Sequence, residues 1–404
     1  MTSETAPSQA PSQAPSQAPS QAPSQAPSEA PSEAPSARPA GGRDLLLEST
    51  AELVSIPSVS RNESAIAEHV AAEVDRHAWL EVTRVGDNVV ARTSFGLAQR
   101  VLVAGHLDTV PPAGNETARV SGEALWGVGA CDMKGGVAVM LDLAKRCTAP
   151  AVDVTWCFYA REEVTRRESG LLEVWGSRPD LLDADVAVLC EPTDSQVEAG
   201  CQGSLRAEIH LGGTRAHSAR PFQGRNAIHR LAPVLERLAS WRGRSVELEG
   251  CEYREQLQAV FVAGGVAGNV VPDHVVLTVN HRFAPDRDAA AAYEVVLGLT
   301  DGVLDEGLGD RVVLVDAADG APPSLAHPLL AALVERTGAP ARAKLGWTDV
   351  ATMWAHGVPA TNFGPGDPLL AHHPDEHVTR ASLARARDVL FAVLCDPGAA
   401  HQRP

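Results

Sequence analysis

The stretch VLVAGHLDTVPP, residues 101–112, decides how the chain is read. Val101 to Ala104 form a short apolar run of the kind a buried strand needs, and His106 and Asp108 follow at its end. Residues i and i+2 of a strand point to the same face, so imidazole and carboxylate can enter one pocket together. Taken alone, the fragment is equally a strand end with two solvated polar groups. The surrounding sequence decides between the two.

Working outward, residues 152–160 (VDVTWCFYA) and 186–190 (VAVLC) are further apolar strand runs. Helical apolar spacing occurs at 44–53, 64–76 and 134–146 (KGGVAVMLDLAKR). Strands alternating with helices predict an α/β fold, a mostly parallel sheet with helices on both faces. The pattern then changes. Residues 206–213 and 274–283 alternate polar and apolar side chains, as half-exposed strands do, with amphipathic helices expected at 226–240 and 289–299. Sheet-and-helix character returns at 327–338, 359–364 and 381–394. The expected organisation is a first sheet segment (43–203), an inserted α+β domain (204–312) and a second sheet segment (313–398). Ahead of these, residues 6–36 repeat APSQ and then APSE. A proline every fourth residue suits neither a helix nor a central strand, so residues 1–42 are expected to be a disordered tail.

The 404-residue chain is 44% hydrophobic, enough for a substantial core. Its formal charge of -17 and pI of about 5.2 disfavour nucleic acid and anionic membranes as partners. No apolar run approaches transmembrane length, and MTSETAPSQA lacks the basic and apolar regions of a signal peptide. Seven scattered cysteines without a CxxC pair are expected to be reduced thiols, which points to the cytoplasm.

Ligand-type residues recur after the predicted strands. GVGACDMKGG sets Asp132 before a helix, YAREEV ends a strand with Glu162 and Glu163, LCEPT ends another with Glu191, and LLAHHPDEHV offers His372 and His373. Each alone has an ordinary explanation: Asp132 as a helix cap, the others as solvated loop groups. Together they fall at the carboxyl edge of one sheet, where open α/β folds bind ligands. Two imidazoles with at least three carboxylates suit zinc or a similar divalent ion, and one carboxylate with two oxygens can bridge a pair of ions. Asp132 is the natural bridge. Glu162, beside a ligand and turned from the metals, is the candidate general base, and Asp108 can support His106 from behind.

HLDTV, GVGACDMKGG, REEV, CEPT and the late AHH resemble, in this order, the co-catalytic-zinc amidohydrolases and exopeptidases of the M20 type, over residues 45–396. The resemblance implies two Zn2+ ions, with Co2+ or Mn2+ as substitutes: His106 and Glu191 on one, Glu163 and His372 on the other, Asp132 between them. It prefers His372 to His373 as ligand. It implies that Glu162 moves the proton of the attacking water and that the inserted domain is a lid that forms a homodimer. His217 in GGTRAHSARP matches a histidine that reaches the substrate carbonyl, often from the neighbouring subunit. Asn269 and Arg282 match lid contacts to a substrate carboxylate, and Gly346, Thr348 and Asp349 of LGWTDV match a loop near the metals. The implied substrate is a small N-acyl amino acid, and the stretches AREEVTRRESGL and LAHHPDEHV are most similar to the desuccinylase branch. One departure stands out: AGCQGS occupies the place of an arginine-rich stretch, so Cys201 and Gln202 bring no charge there.

Overall fold

A computed structural model describes residues 45–395; the expected disordered tail at 1–42 lies outside the described residues. Eight strands form the main sheet, in the order Glu81–Val85, Asn88–Arg92, Asp153–Tyr159, Arg100–His106, Val186–Leu189, Ala360–Asn362, Glu198–Ala199 and Arg342–Ala343. The middle four run parallel. Arg100–His106 is buried on both faces because its alternate side chains serve different cores. Val101 and Val103 pack with the helices Leu45–Val54, Ser64–Asp75, Lys134–Arg146, Pro328–Thr337 and Arg380–Cys395. Leu102 and Ala104 pack on the opposite side with Gly170–Ser177 and Val350–Ala355. This is the α/β fold expected, a mostly parallel sheet covered on both faces.

A second body interrupts it. Four antiparallel strands, in the order Gln256–Gly264, His274–Phe283, Gly203–Gly212 and Arg311–Ala318, make a separate sheet. Leu205, Ala207, Ile209 and Leu211 alternate inward along one strand, against Val234 of helix Ala232–Ser240 and Ala292 and Val296 of helix Ala289–Gly298. The sheet includes Arg311–Ala318, so one strand crosses the boundary expected at 312.

Two local differences have simple causes. The helix expected over 226–240 is α-helical only from Ala232 to Ser240, after a single 3-10 turn at His229–Leu231. Pro233 has no N–H to donate and fits only the first turn, so the α-helix starts around it. The hairpin Glu81–Val85/Asn88–Arg92 was not expected, although Gly86-Asp87 between valine-rich runs is a two-residue turn signal. Gly86 takes φ +58° there.

Candidate metal centre

The centre is assembled at the carboxyl ends of the parallel strands. His106 ends its strand, Glu162 and Glu163 follow Asp153–Tyr159, and Glu191 follows Val186–Leu189. Asp132 stands just before helix Lys134–Arg146. The first turn of that helix can approach Glu191 closely because Gly136 has no side chain: a Cβ there would lie 2.4 Å from the Cys190 carbonyl oxygen.

Asp132 joins the two histidines. Its Oδ1 lies 3.1 Å from His106 Nε2 and its Oδ2 lies 3.4 Å from His372 Nε2. His372 Nε2 is also 2.7 Å from Glu163 Oε1. Donor atoms of His106, Asp132 and Glu191 all lie within 4.8 Å of one another, as do those of Asp132, Glu163 and His372; a third grouping joins His106 to Glu162 and Glu163. His373 turns away, its Nδ1 accepting the Asp375 backbone N–H at 3.1 Å. His372 and Arg161 hold positive φ, 64° and 63°, unusual for residues other than glycine. Such backbone occurs where surrounding structure fixes a functional loop.

Asp108 supports the cluster in a form the sequence did not specify. The Nδ1–H of His106 points to the Asp108 backbone carbonyl at 3.0 Å, which turns Nε2 towards Asp132. The Asp108 carboxylate is 3.5 Å from the same nitrogen and accepts three other bonds. These come from the backbone N–H of Glu162 (2.9 Å), that of Glu163 (3.0 Å) and the Ser60 hydroxyl (2.7 Å). Glu376 plays a matching part that sequence reasoning missed. Its Oε1 accepts the backbone N–H groups of Cys131 and Asp132, each at 2.9 Å. Glu376 lies within the LLAHHPDEHV stretch, but residue spacing gives no sign of which backbone it reaches.

Charge is concentrated here. Burial, opposed by His106 and reinforced by Glu191, Glu163 and Asp349, pushes the Glu162 carboxyl well above the usual range. Burial, reinforced by Asp132, pushes Glu191 up to about 7. Burial of His106 opposes its charging, but Asp108 and Asp132 outweigh it and hold the imidazole well above its ordinary value. Asp132 and Glu163 raise His372 to about 10. Asp108 sits at about 2, held down by His106 and Ser60 against burial.

The donor set fits divalent cations. Four carboxylates crowd two imidazoles, and Glu191 Oε1 is buried without a hydrogen-bond partner. A cation supplies both the missing ligand for that oxygen and the missing positive charge.

Other expected site residues lie outside the cluster. His217 is exposed and pairs with Val270, beside exposed Asn269. Arg282 lies half-buried on His274–Phe283, opposite Ser204. Gly346 is exposed, while Thr348 is buried with its hydroxyl donated to Asn362 Oδ1 at 2.9 Å. Among the described residues, no hydrogen bond or ion pair joins these five to the cluster.

A carboxylate-rich donor set at the carboxyl edge of a parallel sheet, over which a second sheet body is inserted, defines a metal-dependent amidohydrolase. The chain belongs to peptidase family M20/M25/M40, whose model matches residues 102–396. A Mycobacterium tuberculosis protein with the provisional name succinyl-diaminopimelate desuccinylase is 51% identical over 345 residues, covering 85% of this chain and 96% of that protein. The succinyl-diaminopimelate desuccinylase of Corynebacterium glutamicum is 43% identical over 344 residues, covering 83% and 93%. Among solved structures, a tripeptidase of Staphylococcus aureus shares the fold with a TM-score of 0.73 at 21% identity, covering 88% of this chain and 98% of that one. No described helix is long and apolar enough to cross a membrane, and all seven cysteines are free.

Proposed function

We propose that the protein hydrolyses the amide bond of N-succinyl-L,L-diaminopimelate, releasing succinate and L,L-diaminopimelate, in the cytoplasm and as a homodimer. Two relatives bearing that activity in their names, each aligned along more than four-fifths of this chain, support the substrate. The observation that carries the chemistry is the bridging position of Asp132 between His106 and His372.

In this reading His106 and Glu191 would hold one Zn2+, Glu163 and His372 would hold the other, and Asp132 would serve both. Bound there, a pair of divalent cations would lower the pKa of water towards about 7 and polarise the amide carbonyl. The protein's own groups do the rest. Glu162, its backbone fixed by Asp108, takes a proton from the attacking water and passes it to the leaving amine nitrogen. His217 and Asn269, side by side and exposed on the inserted body, act on the active site of the second copy, where His217 donates to the carbonyl oxygen as negative charge develops. Arg282 offers a fork suited to a carboxylate of the amino-acid part, and the segment from Gly346 to Thr348 borders the substrate.

The test is product analysis with N-succinyl-L,L-diaminopimelate, with and without a chelator. Succinate and diaminopimelate should appear only without chelator, and activity should return when zinc is restored. Release of neither product by the metal-loaded protein, with turnover of N-acetylornithine or another N-acyl amino acid instead, would move the assignment to a sibling activity. Zinc binding with no amide hydrolysis on any such substrate would leave a silent scaffold.

A further inference from the structure

Two thiols meet on the far side of helix Lys134–Arg146 from the metal centre. Cys147 directly follows that helix, and Cys395 is the last residue of helix Arg380–Cys395. Their sulfur atoms are 3.1 Å apart, so the S–H of one donates to the other. Among the described residues, no other pair of cysteines has its sulfurs in contact. Helix Lys134–Arg146 has 13 residues, a rise of about 20 Å, and Asp132 stands at its opposite end. The pair therefore takes no part in the chemistry proposed above.

The surrounding packing holds the two sulfurs together. Cys147 belongs to the core that Leu143, Leu390 and Leu394 share, and Cys395 packs against it. The Ala151 backbone N–H donates to the Leu394 carbonyl at 2.8 Å, which fixes the end of helix Arg380–Cys395 beside the loop after Cys147. A disulfide has sulfurs about 2.05 Å apart, so these two need to approach by only about 1 Å. Cys147 is buried and Cys395 half-buried, so a dissolved oxidant meets Cys395 first. The hydrogen bond from Cys147 lowers the pKa of the Cys395 thiol against its burial, and the thiolate is the attacking form.

We propose that Cys147 and Cys395 are a reversible redox pair: oxidised by a low-molecular-weight disulfide, they form an internal bond that fastens helix Arg380–Cys395 to helix Lys134–Arg146. Cys395 gives its proton to solvent and its sulfur attacks one sulfur of the oxidant RS–SR. A bond forms between Cys395 and that sulfur, the RS–SR bond breaks, and RS⁻ leaves and takes up a proton. Cys147 then loses its proton and attacks Cys395 Sγ, expelling the second RS⁻, which is protonated in turn. Two protein thiols are oxidised and one RS–SR is reduced to two RSH. The new bond joins positions 248 residues apart, so it restricts the unfolded chain strongly and stabilises the fold.

In the experiment, the full-length, metal-loaded protein is reduced, freed of reductant and exposed to oxidised glutathione. Peptide mapping by mass spectrometry should recover a Cys147–Cys395 cross-link, with both thiols lost together and restored by dithiothreitol. The melting temperature of the oxidised protein should exceed that of the reduced protein by about 3–6 °C. C395S, treated in the same way, should show no shift, and C147A gives a second control. A glutathione adduct that persists on Cys395, a bridge between other cysteines, or an unchanged thiol count would overturn the pairing. A Cys147–Cys395 bond that leaves the melting temperature unmoved, or lowers it, would overturn the stabilising role. Mapping and melting of the wild type decide the proposal even where neither variant folds.

Discussion

Asp108 Oδ1 accepts the backbone N–H of Glu162 at 2.9 Å, tying the end of the strand that carries His106 to the loop that carries the proposed general base. The other oxygen of the same carboxylate takes the Glu163 N–H, so one side chain sets the position of a base and of a metal-site donor together. Asp108→Ala leaves those N–H groups and the Ser60 hydroxyl without their acceptor. Supporting residues of this kind typically contribute about 10- to 100-fold to activity or metal affinity. The expected outcome is a loss in that range in kcat/KM, with weaker retention of metal on dialysis. Wild-type values for both would show that the loop holds itself.

Glu162→Gln keeps the shape of the side chain and removes its ability to accept a proton from water. Turnover should fall by about 10²- to 10⁴-fold, the usual contribution of a general base, while bound metal stays at the wild-type level. Steady-state kinetics with metal analysis of the same sample checks both halves. A parallel loss of metal would instead make Glu162 a ligand.

Metal loading should release protons. In the ion-free protein, Asp132 and Glu163 raise His372 to about 10, and Asp108 and Asp132 hold His106 well above its ordinary value despite burial. Both rings must lose a proton to ligate. Apparent affinity for zinc should therefore increase with pH through the neutral range. Calorimetry at pH 7 in buffers of different ionisation enthalpy should show net proton release. The same shift has the opposite consequence for the ion-free fold. A raised histidine contributes stability in full below its unfolded value of 6.5 and loses it as pH climbs through about 10. Chelated protein should accordingly lose this contribution on the alkaline side, and His372→Ala should flatten that part of its profile.

Gly136→Ala tests the close approach of helix Lys134–Arg146 to the end of strand Val186–Leu189. The added Cβ meets the Cys190 carbonyl at 2.4 Å and Met133 Cε at 2.9 Å. Backbone cannot yield as a side-chain tip can, so the helix must shift. Overpacking of this sort costs about 1–3 kcal/mol. A lower melting temperature should come with reduced metal affinity, because Asp132 and Glu191 are separated by the same shift. An unchanged melting temperature would show that the helix moves freely.

Chain order and apolar spacing made much of the molecule legible. The parallel strands around Val101–Ala104 and the helix over 134–146 follow from burial on both faces, which leaves no polar period to misread. The strands Gln256–Gly264 and Arg311–Ala318 were harder to see because both lie at sheet edges and are largely exposed, so their pattern is not imposed by a core. His106, Asp132, Glu162, Glu163 and Glu191 could be picked from the sequence because each ends or follows a strand or precedes a helix at the same sheet edge, whereas His372 lies in the loop ahead of strand His377–Thr379.

What the sequence determined by itself was which side chains stand at the ends of strands and starts of helices, since element positions along the chain and side-chain period are local properties. The tertiary structure decided how they meet. The resemblance already preferred His372 to His373, but only folding shows how that ring meets Asp132, that the Asp108 carbonyl accepts the His106 Nδ1–H, and that Glu376 holds the backbone of Asp132 from 244 residues away. Those choices depend on loop backbone angles and on distances between remote segments, and neither leaves a periodic trace in the order of residues.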